Sequence, residues 1–83
     1  MEPIFDFAYI DGAHLARIVL EDSVAVWQRL IPGAVLVWDD YRWRAPSSYK
    51  PPKPAIDAFL DIYDGYWVER EQGRNQIKVR KLK

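Results

Sequence analysis

Three carboxylates and one imidazole stand where this chain could do chemistry: Asp11, His14, Asp39 and Asp40. Asp11 closes the apolar run Ile4–Ile10 (IFDFAYI), and Asp39-Asp40 closes a second run, Ala34–Trp38 (AVLVW). If the two runs are neighbouring strands, about 5 Å apart, their terminal carboxylates converge on one small volume. Oxygen ligands at that density suit a hard divalent cation such as magnesium or calcium. His14 follows Asp11 by three residues and can reach the same crevice. Its ordinary pKa of about 6.5 suits a general base. The same residues also suit plainer roles, with Asp11 and Asp40 as helix caps or turn formers and His14 as a first-turn surface histidine.

The elements that must position these groups are legible from periodicity. Ile4–Ile10 is interrupted only by Asp6, which predicts a strand buried on both faces, as parallel strands usually are. Leu15, Ile18, Val19, Val26 and Leu30 recur at helical spacing, predicting a helix from about Ala13 to Ile31 that Pro32-Gly33 stops. Ala34–Trp38 is the second buried strand. Tyr41–Lys53 is proline-rich and carries Tyr41, Trp43 and Tyr49, a long connection of the kind that covers ligands. Pro54 suits the first turn of the next helix, whose apolar stripe is Ile56, Phe59, Leu60 and Tyr63 and whose end is Gly65. Tyr66–Glu71 and Gln76–Leu82 flank the turn Gly73-Arg74-Asn75 and read as an antiparallel hairpin. Ile77 and Val79 alternate with Gln76, Lys78 and Arg80, so one face of the last strand meets solvent.

Two apolar strands joined by a helix are parallel, with a right-handed crossover. The fold class is therefore α/β: two parallel strands with a crossover helix, a further helix and a C-terminal antiparallel hairpin. In such sheets ligands bind beyond the carboxyl ends of the strands, where the three aspartates lie.

Composition sets bounds on function. Eighty-three residues with 49% hydrophobic and 14% aromatic side chains, four of them Trp, make one small folded domain. Twelve basic and twelve acidic residues cancel, so no overall field favours nucleic acid or an anionic membrane. The late cluster of Arg74, Lys78, Arg80, Lys81 and Lys83 reads as a solvated strand face. No apolar run approaches the roughly 20 residues of a membrane span, and no signal-peptide pattern is present. Cysteine is absent, which excludes disulfides and fits a cytoplasmic protein.

The stretch FDFAYIDGAH, followed by LIPGAVLVWDDYRW, resembles the second half of a class I S-adenosylmethionine-dependent methyltransferase. Within that class it is similar to the macrocin-type small-molecule O-methyltransferases, whose pattern is a strand ending in I-D-G-x-H, a helix ending in L-K-P-G-G and a strand ending in D-D-Y. PKPAIDAFLDIYDGYW and the closing hairpin also match the general layout of that family. The resemblance implies half of a Rossmann-like methyltransferase sheet and a small-molecule hydroxyl as acceptor. It also implies S-adenosylmethionine as donor, a divalent ion on Asp11, Asp39 and Asp40, and His14 as the base. Tyr41, Trp43 and Tyr49 would cover the acceptor, and core or surface packing explains the same rings equally well. Ile31 and Ala34 stand where the family pattern has Lys and a second Gly, and the catechol-type metal enzymes carry Asn at the position of Asp40.

Donor binding in this class rests on a Gly-rich turn, where glycine lets the backbone approach the ligand. The glycines here, Gly12, Gly33, Gly65 and Gly73, are too dispersed to form one. Residues 1–83 are thus expected to be a single partial domain, the C-terminal half of the enzyme, inactive alone. An apolar first strand at an open sheet edge seeks a partner. The expected partner is a missing N-terminal half or a second copy, in a homodimer through Ile4–Ile10. The alternative is a non-catalytic interaction or structural module, likewise dimeric, derived from a methyltransferase.

Overall fold

The computed structural model describes residues 2–11, 15–44 and 50–83. In chain order its elements are β1 (Phe5–Ile10), α1 (Ala16–Trp27), β2 (Leu30–Trp38), α2 (Pro52–Ile62), β3 (Trp67–Gln72) and β4 (Ile77–Lys81). The four strands form one mixed sheet in the order β1-β2-β4-β3. β1 and β2 are parallel, and β4 runs antiparallel to both β2 and β3. The last strand therefore sits inside the sheet, and β3 forms the far edge.

The sheet has one core face. Register places Ala8 beside Leu36 and Val79, and Ile10 beside Trp38 and Ile77. Because side chains alternate along each strand, these five larger apolar groups and Ala8 point the same way. α1 meets them with Val19, Ser23 and Trp27, spaced four apart, and α2 with Ala55, Ile56, Phe59 and Leu60. Phe59 is the hub, edge-on to Trp27 at 5.4 Å and to Trp38 at 5.5 Å, and stacked on Tyr63 at 4.1 Å between centroids. The buried hydroxyl of Ser23 accepts from the Trp38 indole N–H at 2.8 Å and donates to the Val19 carbonyl at 2.6 Å. The buried serine hydroxyl is therefore satisfied on both sides.

The opposite face corrects the expectation for β1. Phe5, Phe7 and Tyr9 are 49%, 54% and 45% exposed, and only Ile10 of this strand is buried. β1 is an edge strand with a single neighbour, and both helices lie over the other side of the sheet. No described element covers its second face. An apolar groove of about 920 Å³ runs beside it, lined by Phe5, Phe7, Leu20, Val24 and Arg29 among others.

The boundary between α1 and β2 is also corrected. The helix ends at Trp27, not Ile31, and Pro32-Gly33 lie inside β2. Pairing with β1 jumps from Phe5–Leu30 to Phe7–Val35, and the surplus residues form an irregularity that absorbs Pro32 and a left-handed Gly33 (φ 91°). Lys81 supplies the helix stop from 54 residues away. Its ammonium donates to the Trp27 carbonyl at 2.8 Å, an acceptor the helix end leaves open, and to the Leu30 carbonyl at the start of β2 at 2.6 Å. Lys81 is thus half-buried and not part of a solvated tail, and burial lowers its pKa. Helix α2 opens two residues earlier than expected, with Pro52 in its first turn. No helix among the described residues is long and apolar enough to cross a membrane.

Candidate functional site

The parallel pairing of β1 and β2 brings Ile10 level with Trp38, so the residues that follow each strand leave the sheet together. The Asp39 N–H donates to the Ile10 carbonyl at 3.0 Å, tying the two strand ends. Asp11, Asp39 and Asp40 then each place one carboxylate oxygen so that all three lie within 4.8 Å of one another. Asp11 is exposed, and the other two are half-buried. The fourth residue singled out by sequence, His14, lies outside the described residues, as does Tyr49.

The spacing of these oxygens can be tested against a cation. Two ligands on one ion are separated by at most twice the metal–oxygen distance, about 4.2 Å for magnesium and about 4.8 Å for calcium. The 4.8 Å ceiling stays within that pairwise limit for calcium, whose metal–oxygen distance runs to about 2.6 Å. Magnesium requires the three carboxylates to draw closer together by side-chain rotation. The all-oxygen donor set is the chemistry both ions prefer.

Two residues that sequence reasoning missed hold these carboxylates. β4 runs antiparallel to β2 and pairs Ile77 with Trp38, so the start of β4 reaches the end of β2. There the Gln76 amide bridges the Tyr9 hydroxyl at 3.3 Å and Asp39 Oδ1 at 3.5 Å. Asn75 binds the next turn more fully. Its amide donates to Asp40 Oδ1 at 3.3 Å, its side-chain oxygen accepts from the Arg42 N–H at 2.7 Å, and its carbonyl accepts from the Tyr41 N–H at 3.0 Å. These bonds support a left-handed backbone at Asp40 (φ 61°), a conformation that asparagine and aspartate tolerate better than other non-glycine residues. The Tyr9 phenol hydrogen-bonds to Asp39, which raises its pKa; desolvation and the charges of Asp39 and Asp11 act in the same direction, and Gln76 opposes them.

Beyond the aspartates, the chain turns into the connection expected to cover a ligand. Tyr41 is only 5% exposed and is an anchor rather than part of a lid. Its hydroxyl donates to Asp57 Oδ1 at 2.6 Å, and Lys53 donates to Asp57 Oδ2 at 2.6 Å. Burial alone raises the Asp57 pKa, but the bonds from Lys53 and Tyr41 and the nearby charges of Lys53 and Arg70 outweigh it, and the net shift is downward. Trp43 is half-buried, and its backbone N–H donates to the Asp40 carbonyl at 3.0 Å.

Residues 2–41 match a family model described as methyltransferase domain. The matched span takes in β1, α1, β2 and all three clustered aspartates. Its similarity agrees with a mixed α/β sheet that corresponds to part of a Rossmann-like methyltransferase fold. Comparison with curated proteins and with solved structures gives no match.

Proposed function

We propose that this chain is the metal- and acceptor-binding part of an S-adenosylmethionine-dependent O-methyltransferase acting on a small-molecule hydroxyl, and that it does not complete the transfer unaided. The observation that carries this reading is the meeting of Asp11, Asp39 and Asp40 within 4.8 Å, inside the segment similar to a methyltransferase domain. A divalent ion on these carboxylates would act as a Lewis acid toward an acceptor hydroxyl and make its proton easier to remove. Asp39 and Asp40 take their orientation from Gln76 and Asn75, and His14 is the residue assigned to receive the proton.

The donor is not accommodated in the same way. Gly33 lies within β2, Gly65 follows α2 and Gly73 begins the hairpin turn, so the described glycines are spread over separate elements. They build no shared backbone cradle for a nucleoside. Donor binding then needs residues beyond the described ones, and the outer edge of β1 is where further strands would join the sheet.

That edge also favours a second reading, a dimeric interaction module without catalysis. Phe5, Phe7 and Tyr9 are exposed on an edge strand, the feature that promotes edge-to-edge pairing. Both readings are tested by calorimetric titration of the folded chain with S-adenosylhomocysteine, with and without magnesium. The metal-binding half-enzyme is expected to bind magnesium and give no saturable donor-analogue heat as a monomer. Saturable binding by a monomer would contradict the proposed division of labour. Failure to bind either ligand would leave the interaction module.

A further inference from the structure

A pocket of about 420 Å³ opens on the segment that follows Asp40, lined by Tyr41, Arg42, Trp43, Arg44, Lys53 and Gln72 with Pro51. Its size lies in the range of small-molecule sites, about 300–1,000 Å³. Its first residue follows Asp40 directly in sequence, and Trp43 is hydrogen-bonded to the Asp40 carbonyl.

The charge in this pocket is one-sided. Among the described residues, no carboxylate lines it, and neither the Arg42 nor the Arg44 guanidinium has a carboxylate partner. The nearest acid, Asp57, is already engaged by Lys53 and Tyr41 at 2.6 Å each. That pairing neutralises Lys53 locally and leaves two arginines as the net charge. Pro51 and Lys53 place the start of α2 at the pocket wall, and that helix has neither a side-chain cap nor an acid in its first turn. Three of its first four positions, Pro51, Pro52 and Pro54, carry no N–H, so only the Lys53 N–H and the aligned peptide dipoles add to the positive field. Trp43 contributes an aromatic surface to the same wall. Arginine forks and an indole together recognise a planar anionic ring, the forks taking the anion and the indole the ring face.

We propose that this pocket binds an anionic, ring-bearing hydroxyl compound, with its carboxylate or equivalent anion on Arg42 and Arg44 and its ring against Trp43. The proposal rests on the methyltransferase reading for the identity of this ligand as the methyl acceptor. The anion site itself is independent of the metal.

The test uses two probes that differ in one carboxylate, 3,4-dihydroxybenzoate and catechol, followed by NMR titration of the whole chain. Without metal, the benzoate is expected to bind about tenfold more tightly than catechol, the scale of two partly exposed charge-assisted contacts. The Arg42→Gln, Arg44→Gln double variant should erase that preference, and because both side chains are exposed it should remain folded. Equal affinity for the two probes, or a preference that survives the double substitution, overturns the proposal, as does binding of neither probe. Magnesium should then strengthen binding of both diols in the native chain and not in Asp39→Ala. If the carboxylate preference holds while magnesium has no effect, the anion pocket stands and the metal-dependent transfer reading fails.

Discussion

Replacing Asn75 with alanine isolates the device that fixes the Asp39–Asp40 turn. The substitution removes two side-chain bonds, to the Arg42 N–H at 2.7 Å and to Asp40 Oδ1 at 3.3 Å, and leaves the main-chain bond to Tyr41 intact. A typical hydrogen bond contributes about 0.5–1.5 kcal/mol net, and the long bond to Asp40 belongs at the low end despite its charge. The loss is then about 1–2 kcal/mol. For a domain of this size each kcal/mol moves Tm by roughly 4–8 °C, so thermal unfolding followed by circular dichroism should shift down by about 5–15 °C. If the cluster binds a divalent ion, affinity should fall about 10- to 100-fold, the usual effect of losing an outer-shell partner. Asn75→Asp keeps the acceptor for the Arg42 N–H and places a negative charge beside Asp40. It should recover part of the stability without restoring the contact with the Asp40 carboxylate. A melting curve for Asn75→Ala within a degree or two of native would refute the reasoning, because the turn would not depend on this clamp.

Ser23→Ala leaves the Trp38 indole N–H buried without its acceptor, and should cost about 1–3 kcal/mol in urea unfolding; an unchanged midpoint would show that the core admits a replacement partner. Asp57 has a folded pKa below its ordinary 3.8, so its contribution to stability is complete above about pH 3.8 and is lost as pH falls through the lower folded value. Asp57→Asn should therefore flatten the acid limb of the stability profile, and an acid limb that keeps its shape would contradict this. Phe7→Lys places a charge on the exposed face of β1. It should leave the fold intact and abolish dimers detected by light scattering, whereas a native chain that stays monomeric at high micromolar concentration would remove the dimer altogether.

Much of the site was legible in the sequence because it depends on topology more than on packing. IFDFAYI and AVLVW can be neighbouring parallel strands only if their acidic ends emerge together, which is how Asp11, Asp39 and Asp40 come within reach of one another. What was misread depended on partners distant along the chain. Pro32-Gly33 looks like a helix stop, yet the stop comes from Lys81, and the proline and glycine are taken up by a strand irregularity. β1 carries the composition of a strand covered on both faces, but composition cannot say which elements cover it, and among the described residues none covers the second face. Asn75 and Gln76 read as ordinary turn and strand-start residues. Their role follows only once β4 is known to lie between β2 and β3, which carries the hairpin turn to the end of β2.

The central claim is that the strand-end aspartates form a divalent-cation site, and paramagnetic manganese tests it most directly. Trace manganese added to the isotopically labelled chain broadens the amide signals of residues nearest the bound ion. The account predicts that Tyr9–Asp11, Trp38–Arg42 and Asn75–Gln76 fade first, and that Asp39→Ala abolishes the effect. Broadening centred instead on the α2 acids Asp57 and Asp61, or spread evenly over the surface, would contradict it.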